Sequence, residues 1–226
     1  MQIRFLGHSC FELVDDGTRL LIDPFLTGNP KAAVSADAVE PTHILLTHGH
    51  PDHFGDTVDI AKRTEAQVVC ITEISYELQE LGVMNVVGPN LGGTVELDGG
   101  GWVRLVPAWH TSTTPGGTVS TPAGLVIGLG GKVVYHLGDT ALSNDLALVA
   151  ERDHIDVALM CMGGFFTMDR HDAVRAAKLI GADVVIPCHF GTFPGLEPDA
   201  ASFKSDVEAQ TSSKVVVLAP GEEHST

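Results

Sequence analysis

The stretch His48-Gly49-His50-Pro51-Asp52-His53 constrains this chain more than any other. Three imidazoles and a carboxylate fall within six residues, directly after the apolar run Ile44-Leu45-Leu46. Alternate side chains of an extended segment point the same way, so His48 and His50 can converge on one point beyond the strand end. Pro51 cannot continue a central strand and breaks the ladder there. Asp52 and His53 lie past the break and can face a second point nearby. Imidazole nitrogen and carboxylate oxygen are the ligands preferred by zinc and similar divalent metals. A polar loop with chance histidines is the bland reading, but so dense a cluster after a buried strand has few structural uses. The motif reads as a metal site, and as half of a two-metal site.

Later His and Asp residues supply the other half. His110 follows an apolar strand ending at Pro107, Asp139 follows the strand Lys132 to His136, and His189 follows Val184 to Ile186. Each sits where a buried strand opens into a loop, and loops at one edge of a rigid sheet are where binding groups gather. One zinc is satisfied by three or four such ligands. The seven candidates His48, His50, Asp52, His53, His110, Asp139 and His189 are too many for one ion and suit two.

The remaining pattern is that of a layered α/β protein. Ile3 to Leu6, Cys10 to Val14 and Arg19 to Ile22 read as strands, the last two joined by the turn signal Asp15-Asp16-Gly17. Helices are expected over Asp56 to Arg63 and over Glu73 to Leu81, where Gly82 stops the second. Short strands follow at Val86-Val87, Gly93 to Leu97 and Trp102 to Pro107, then a Thr-, Ser-, Pro- and Gly-rich loop from Thr111 to Pro122 that reads as plain surface. Leu125 to Leu129 and Lys132 to His136 form a hairpin around Gly130-Gly131. From there helices (Ser143 to Ala150, Asp172 to Ile180, Asp199 to Gln210) alternate with strands (Val157 to Met160, Val184 to Ile186, Lys214 to Leu218). No repeat or linker appears, so residues 1–226 are expected to form a single domain with two sheets inside and helices outside.

Composition narrows the function classes. No apolar stretch approaches the roughly 20 residues needed to span a bilayer, and the strand-like start lacks the regions of a signal peptide. A soluble, cytoplasmic protein is expected. Thirteen Lys and Arg against 29 Asp and Glu give a formal net charge of -16, which repels phosphate backbones and counts against nucleic acid as a partner. Cys10, Cys70, Cys161 and Cys188 have no CxxC spacing and read as reduced thiols without a catalytic role. No heptad seam locates an oligomer interface, although a homo-oligomer is compatible with the chain.

The order His48-x-His50-x-Asp52-His53, then His110, Asp139 and His189, resembles the metallo-β-lactamase superfamily. Gly7-His8-Ser9-Cys10-Phe11, Asp23-Pro24, Phe166-Thr167-Met168 and Ile186-Pro187-x-His189-Phe190-x-Thr192-Phe193-Pro194 resemble its branch of small metal-dependent hydrolases, which is similar to the L-ascorbate-6-phosphate lactonases. The resemblance spans essentially the whole chain. It implies a four-layer αββα sandwich with the site at one edge between two sheets. By position it implies that His48, His50 and His110 hold one metal, that Asp52, His53 and His189 hold the other, and that Asp139 bridges them. Asp23 would support the ligands without binding metal.

Two divalent metals, zinc foremost with manganese or iron as alternatives, can share a water and make it hydroxide near neutral pH. The expected activity is hydrolysis of a small molecule, an ester or lactone before a phosphodiester, with Asp52 orienting the nucleophile and passing on a proton. A β-lactam ranks third. His8, Phe166, Thr167 and His171 are candidates for the substrate pocket; a turn histidine and a first-turn helix residue are the bland readings of His8 and His171. His43, His136, His154 and His224 have no partner motif. An iron-dependent oxidoreductase and a non-catalytic binding module are the rival readings on the same fold.

Overall fold

The computed structural model describes residues 1–226. The amino-terminal half builds one sheet: β1 (Gln2–Gly7), β2 (Cys10–Asp15), β3 (Thr18–Ile22), β4 (His43–Leu45), β5 (Gln67–Val69) and β6 (Val86–Val87) lie side by side in that order. The one-turn helix α1 (Pro51–Phe54), α2 (Thr57–Thr64) and α3 (Thr72–Glu80) interrupt it in sequence. The second sheet runs from β7 (Thr94–Glu96) through β8 (Trp102–Pro107), β9 (Ala123–Leu129) and β10 (Lys132–His136). It continues past α4 (Asp145–Arg152) with β11 (Val157–Cys161), past α5 (Arg170–Ile180) with β12 (Val184–Cys188), and past α6 (Ala201–Gln210) with β13 (Lys214–Val215). The chain ends in β14 (Glu223–Ser225), which returns to pair antiparallel with β1.

Each sheet is antiparallel where the strands are joined by short turns and parallel where helices intervene. β1, β2 and β3 are antiparallel, while β3, β4, β5 and β6 are parallel. β7 to β10 are antiparallel and β10 to β13 parallel. A parallel neighbour needs a long crossover, whereas a hairpin does not. The parallel strands are buried on both faces and read as unbroken apolar runs: all five residues of β11 are buried.

Period-two alternation divides the central strands of the second sheet between two cores. Leu125, Ile127, Val157 and Leu159 face inward and join Ile3, Leu20, Ile44 and Val68 of the first sheet in one cluster. Val126, Ala158 and Met160 face outward and pack with Ala173, Ala177 and Phe203 of α5 and α6. Two mixed sheets thus lie face to face with helices outside, the four-layer αββα sandwich expected. All four cysteines are buried free thiols. No helix is long and apolar enough to cross a membrane.

Three features depart from the sequence expectation. Pro51 opens a helical turn instead of merely ending a strand, because its fixed φ suits the first helical position. β14 is absent from the sequence reading; three residues at an edge carry little pattern. The segment Thr111 to Pro122 is not plain surface loop. Ser112 and Thr114 are buried, the Ser112 hydroxyl accepts the Gly49 N–H at 3.0 Å, and the Thr114 hydroxyl donates to Glu77 of α3. It straps the histidine motif to the first sheet's helices.

Candidate metal centre

The centre lies at the carboxyl ends of β3, β4, β8, β10 and β12. Asp23 follows β3 with a left-handed backbone, φ 44°, and clamps both ends of the motif. Its Oδ1 accepts the Thr47 N–H at 2.9 Å and its Oδ2 the Thr47 hydroxyl at 2.6 Å. The same Oδ2 lies 2.7 Å from His53 Nδ1. A carboxylate only accepts, so Nδ1 carries a proton and Nε2 is the His53 nitrogen aimed at the centre. Because the Thr47 hydroxyl gives its hydrogen to Asp23, it accepts from His48 Nδ1 at 3.0 Å. His48 Nε2 is thereby also freed toward the centre. Asp23 therefore sets two imidazole tautomers, one directly and one through Thr47, as second-layer carboxylates do around bound metals.

α1 supplies the offset between the two halves of the motif. The Phe54 and Gly55 N–H groups bond to the His50 and Pro51 carbonyls at 2.8 and 3.1 Å, and this single turn moves Asp52 and His53 away from the line of His48 and His50. Gly49 is required by the close approach of the strap, since a Cβ there would meet Thr114 Cγ2 at 2.8 Å and Thr114 N at 3.0 Å.

Three overlapping groups of donor atoms result, each mutually within 4.8 Å: His48, His50 and His110; His8, Asp52, His53 and His189; and His48, His53 and Asp139. His48 Nε2 and His50 Nδ1 face each other at 3.0 Å. The Asp139 Oδ2 atom stands between the halves, 3.1 Å from His189 Nε2, 3.4 Å from His53 Nε2 and 3.6 Å from His110 Nε2. All seven expected ligands and Asp23 are brought together.

The two halves differ in electrostatics. Burial pushes the pKa of His48 well down, and lowers those of His50 and His110, leaving neutral imidazoles ready to donate lone pairs. His53 goes the other way: burial opposes its charge, but the Asp139 and Asp23 carboxylates overcome that and raise it well above the usual value. Burial alone would raise Asp139 and Asp23, yet the neighbouring His53 charge holds both low, with His189 adding to the effect on Asp139. Burial likewise works against the Asp52 anion, and the hydrogen bond from His8 with the charge of His53 more than compensates.

Buried polar atoms almost always find a partner. Here His53 Nε2, His189 Nε2 and Asp139 Oδ1 are buried without a hydrogen-bond partner, and all belong to side chains converging on one place. A divalent cation satisfies such a donor set of imidazole nitrogens and carboxylate oxygens, so the residues fit the metals that the sequence resemblance implies.

The pocket candidates separate. His8 is buried, with Nδ1 3.0 Å from the Thr192 hydroxyl and Nε2 3.1 Å from Asp52 Oδ2; burial is the main cause that brings its pKa down to about 4. Phe166 is exposed and Thr167 half-buried on the loop between β11 and α5. The Met168 N–H of that loop bonds to the Thr140 carbonyl beside Asp139 at 3.1 Å. His171 is exposed in the first turn of α5, beside Arg170 at 3.3 Å, and joins no donor group. His136, read from sequence as partnerless, is buried beneath the centre: its Nε2 donates to the Ser9 carbonyl at 3.1 Å and its Nδ1 accepts the Gly138 N–H at 3.0 Å. Both partners are backbone groups, which no side-chain motif announces.

Comparison with known proteins agrees with this architecture. A family model described as a beta-lactamase superfamily domain matches residues 2–189. A UPF0173 metal-dependent hydrolase of Methanopyrus kandleri is 48% identical over 229 residues, covering 99% of each chain, and one of Thermus thermophilus is 45% identical over 204 residues, 90% of this chain and 89% of that one. Igni18, a metallo hydrolase from Ignicoccus hospitalis, superposes with a TM-score of 0.91 at 36% identity over 99% of this chain and 97% of its own. The chain belongs to the beta-lactamase superfamily and, within it, to the UPF0173 family of metal-dependent hydrolases.

Proposed function

We propose that this protein is a hydrolase working through two divalent metals, zinc foremost with manganese or iron as alternatives. His48, His50 and His110 hold one, Asp52, His53 and His189 the other, and Asp139 serves both. The observation that carries this reading is the position of Asp139 Oδ2, within 3.6 Å of imidazole nitrogens from both halves. Metals held there would lower the pKa of bound water toward neutrality and polarise the bond under attack. The chain's own groups do the rest. Asp23 fixes the His53 and His48 tautomers, Asp52 orients the attacking oxygen and receives its proton, and the β-sandwich floor keeps water from reaching the ligands from below. Asp52, His50 and His110 are the partly exposed members, so substrate approaches from their side.

A small ester or lactone suits the site better than a phosphodiester. The loops that carry the candidate ligands, with the segment before α5 (46–56, 108–122, 137–144, 162–169 and 189–199), contain no Lys or Arg, so they offer no guanidinium or ammonium to clamp a phosphoryl group. Exposed Trp109, Phe165 and Phe166 stand on two of these loops and offer apolar surface for the substrate beside Thr167. The sequence resemblance to the L-ascorbate-6-phosphate lactonases favours a lactone bond, and the net charge of -16 counts against nucleic acid. The test is a panel of lactones, esters and phosphodiesters offered to zinc-, manganese- and iron-loaded protein, with metal content measured by elemental analysis. Lactone or ester turnover far above the rest, lost on chelation, is expected. Full activity in metal-free protein sinks the reading.

A further inference from the structure

We propose that His8, held by Thr192, is the positioning residue that aims Asp52 and anchors His189, without itself binding metal. The inference rests on the dinuclear reading above. Asp52 Oδ2 can only accept, so the 3.1 Å contact requires a proton on His8 Nε2. His8 Nδ1 then presents a lone pair, and the Thr192 hydroxyl 3.0 Å away donates to it. The hydroxyl's other acceptor, the Phe190 carbonyl, is farther at 3.4 Å. The chain Thr192 to His8 to Asp52 thus runs in one direction, and it occupies one carboxylate oxygen of Asp52 while leaving the other free.

The same residue holds His189. The His189 N–H donates to the His8 carbonyl at 2.8 Å, and the two rings lie 4.1 Å apart between centroids. Phe25 and Phe193 pack edge-on against the His8 ring at 5.9 and 5.3 Å, which blocks its rotation. His8 adopts φ 60° and His189 φ 56°, a region that non-glycine residues occupy only when their surroundings impose it. Both strained residues meet at this one backbone hydrogen bond. His8 lies in the same group of donor atoms as Asp52, His53 and His189, so direct ligation is the competing assignment.

Two pairs of variants separate the two in the full chain. Asn tolerates the left-handed backbone but is too short to reach Asp52, whereas a Gln amide can take the place of Nε2–H. Zinc affinity is read by chelator competition, with no substrate present. His8→Asn is expected to weaken one bound equivalent about 10- to 100-fold, the range for outer-layer partners of metal ligands, and to spare the other. His8→Gln recovers most of the loss. Thr192→Val costs several-fold and Thr192→Ser restores it, which keeps the test open if His8→Asn does not fold. Unchanged affinity in both His8→Asn and Thr192→Val overturns the proposal. So does a His8→Gln protein as weak as His8→Asn with one imidazole fewer per metal by X-ray absorption, since that identifies a ligand. Wild-type protein that binds no zinc refutes the dinuclear reading instead. Nitrogen NMR of the metal-free protein then decides independently: Nε2–H on His8 is expected, and Nδ1–H overturns the assignment.

Discussion

The two halves of the centre solve the same problem with opposite charge. The half formed by His48, His50 and His110 is all imidazole, and burial keeps its pKa values low. The half formed by Asp52, His53 and His189 is wrapped in carboxylates: Asp23 behind His53, Asp139 in front, and Asp52 on the His8 side. Those carboxylates raise the His53 pKa well above its usual value, which makes it their candidate internal cation in the metal-free fold. On the dinuclear reading proposed above, a metal entering the carboxylate half would replace a proton, while one entering the imidazole half would add charge to a neutral pocket. On that reading the two points are expected to differ in affinity, pH response and dependence on supporting residues.

Asp139→Ala breaks the comparison most severely, because it removes the one group near both halves. Loss of metal from both points and a fall in turnover beyond about 100-fold, the upper range for merely supporting residues, are expected by elemental analysis and steady-state kinetics. Retention of two equivalents would show that Asp139 is not shared. Single-half variants come next. Asp52→Asn should leave about one equivalent bound at the imidazole half, and His110→Ala about one at the carboxylate half, since the untouched half keeps its full ligand set. Matching losses in both variants would mean that the halves are not separable.

The proton inventory sharpens the contrast further. Metal ligands must be deprotonated to bind. The carboxylates around His53 raise its pKa, so as pH falls its proton is expected to compete first and the carboxylate half to lose affinity at a higher pH than the imidazole half. His48, His50 and His110, with lowered pKa values, compete only under more acidic conditions. Calorimetry in buffers of different ionisation enthalpy should find about one proton released per metal at the carboxylate half and almost none at the other. Equal release at both would refute the assignment of His53 as the internal cation.

Legibility in the sequence follows the same division between side-chain and backbone chemistry. The seven candidate ligands stood out because His and Asp residues sit at or just past the ends of apolar strands, Asp23 only through the family resemblance, and the structure brings all eight together. The sandwich was legible because β9, β11 and β12 are continuous apolar runs separated by helices of amphipathic period. What escaped detection is held by main-chain groups or by distant partners. His136 contacts the Ser9 carbonyl from 127 positions away. β14 is three residues long and finds its register only against β1. The strap from Thr111 to Pro122 has the composition of a surface loop, and its attachment to Glu77 and Gly49 depends on side chains whose partners come from α3 and the histidine motif. His8 was legible as a residue near the site but not in its orientation, since the bond to Asp52 joins two separate loops.

That strap provides the finest test, because it supports the imidazole half alone. Ser112 accepts the Gly49 N–H and shares a 2.6 Å hydrogen bond with the Ser120 hydroxyl, so the backbone between His48 and His50 is held by the strap. Ser112→Ala leaves a buried N–H without its acceptor, a loss of about 1–3 kcal/mol. Gly49→Ala drives a methyl group into Thr114 and costs about 1–3 kcal/mol by overpacking. Both should lower the unfolding free energy in denaturant melts of the metal-free protein. If the strap positions His48 and His50 as argued, both should also weaken metal at the imidazole half by a few fold while the Asp52 half keeps its affinity. An equal loss at both halves would show that the strap stabilises the fold without discriminating between the two points.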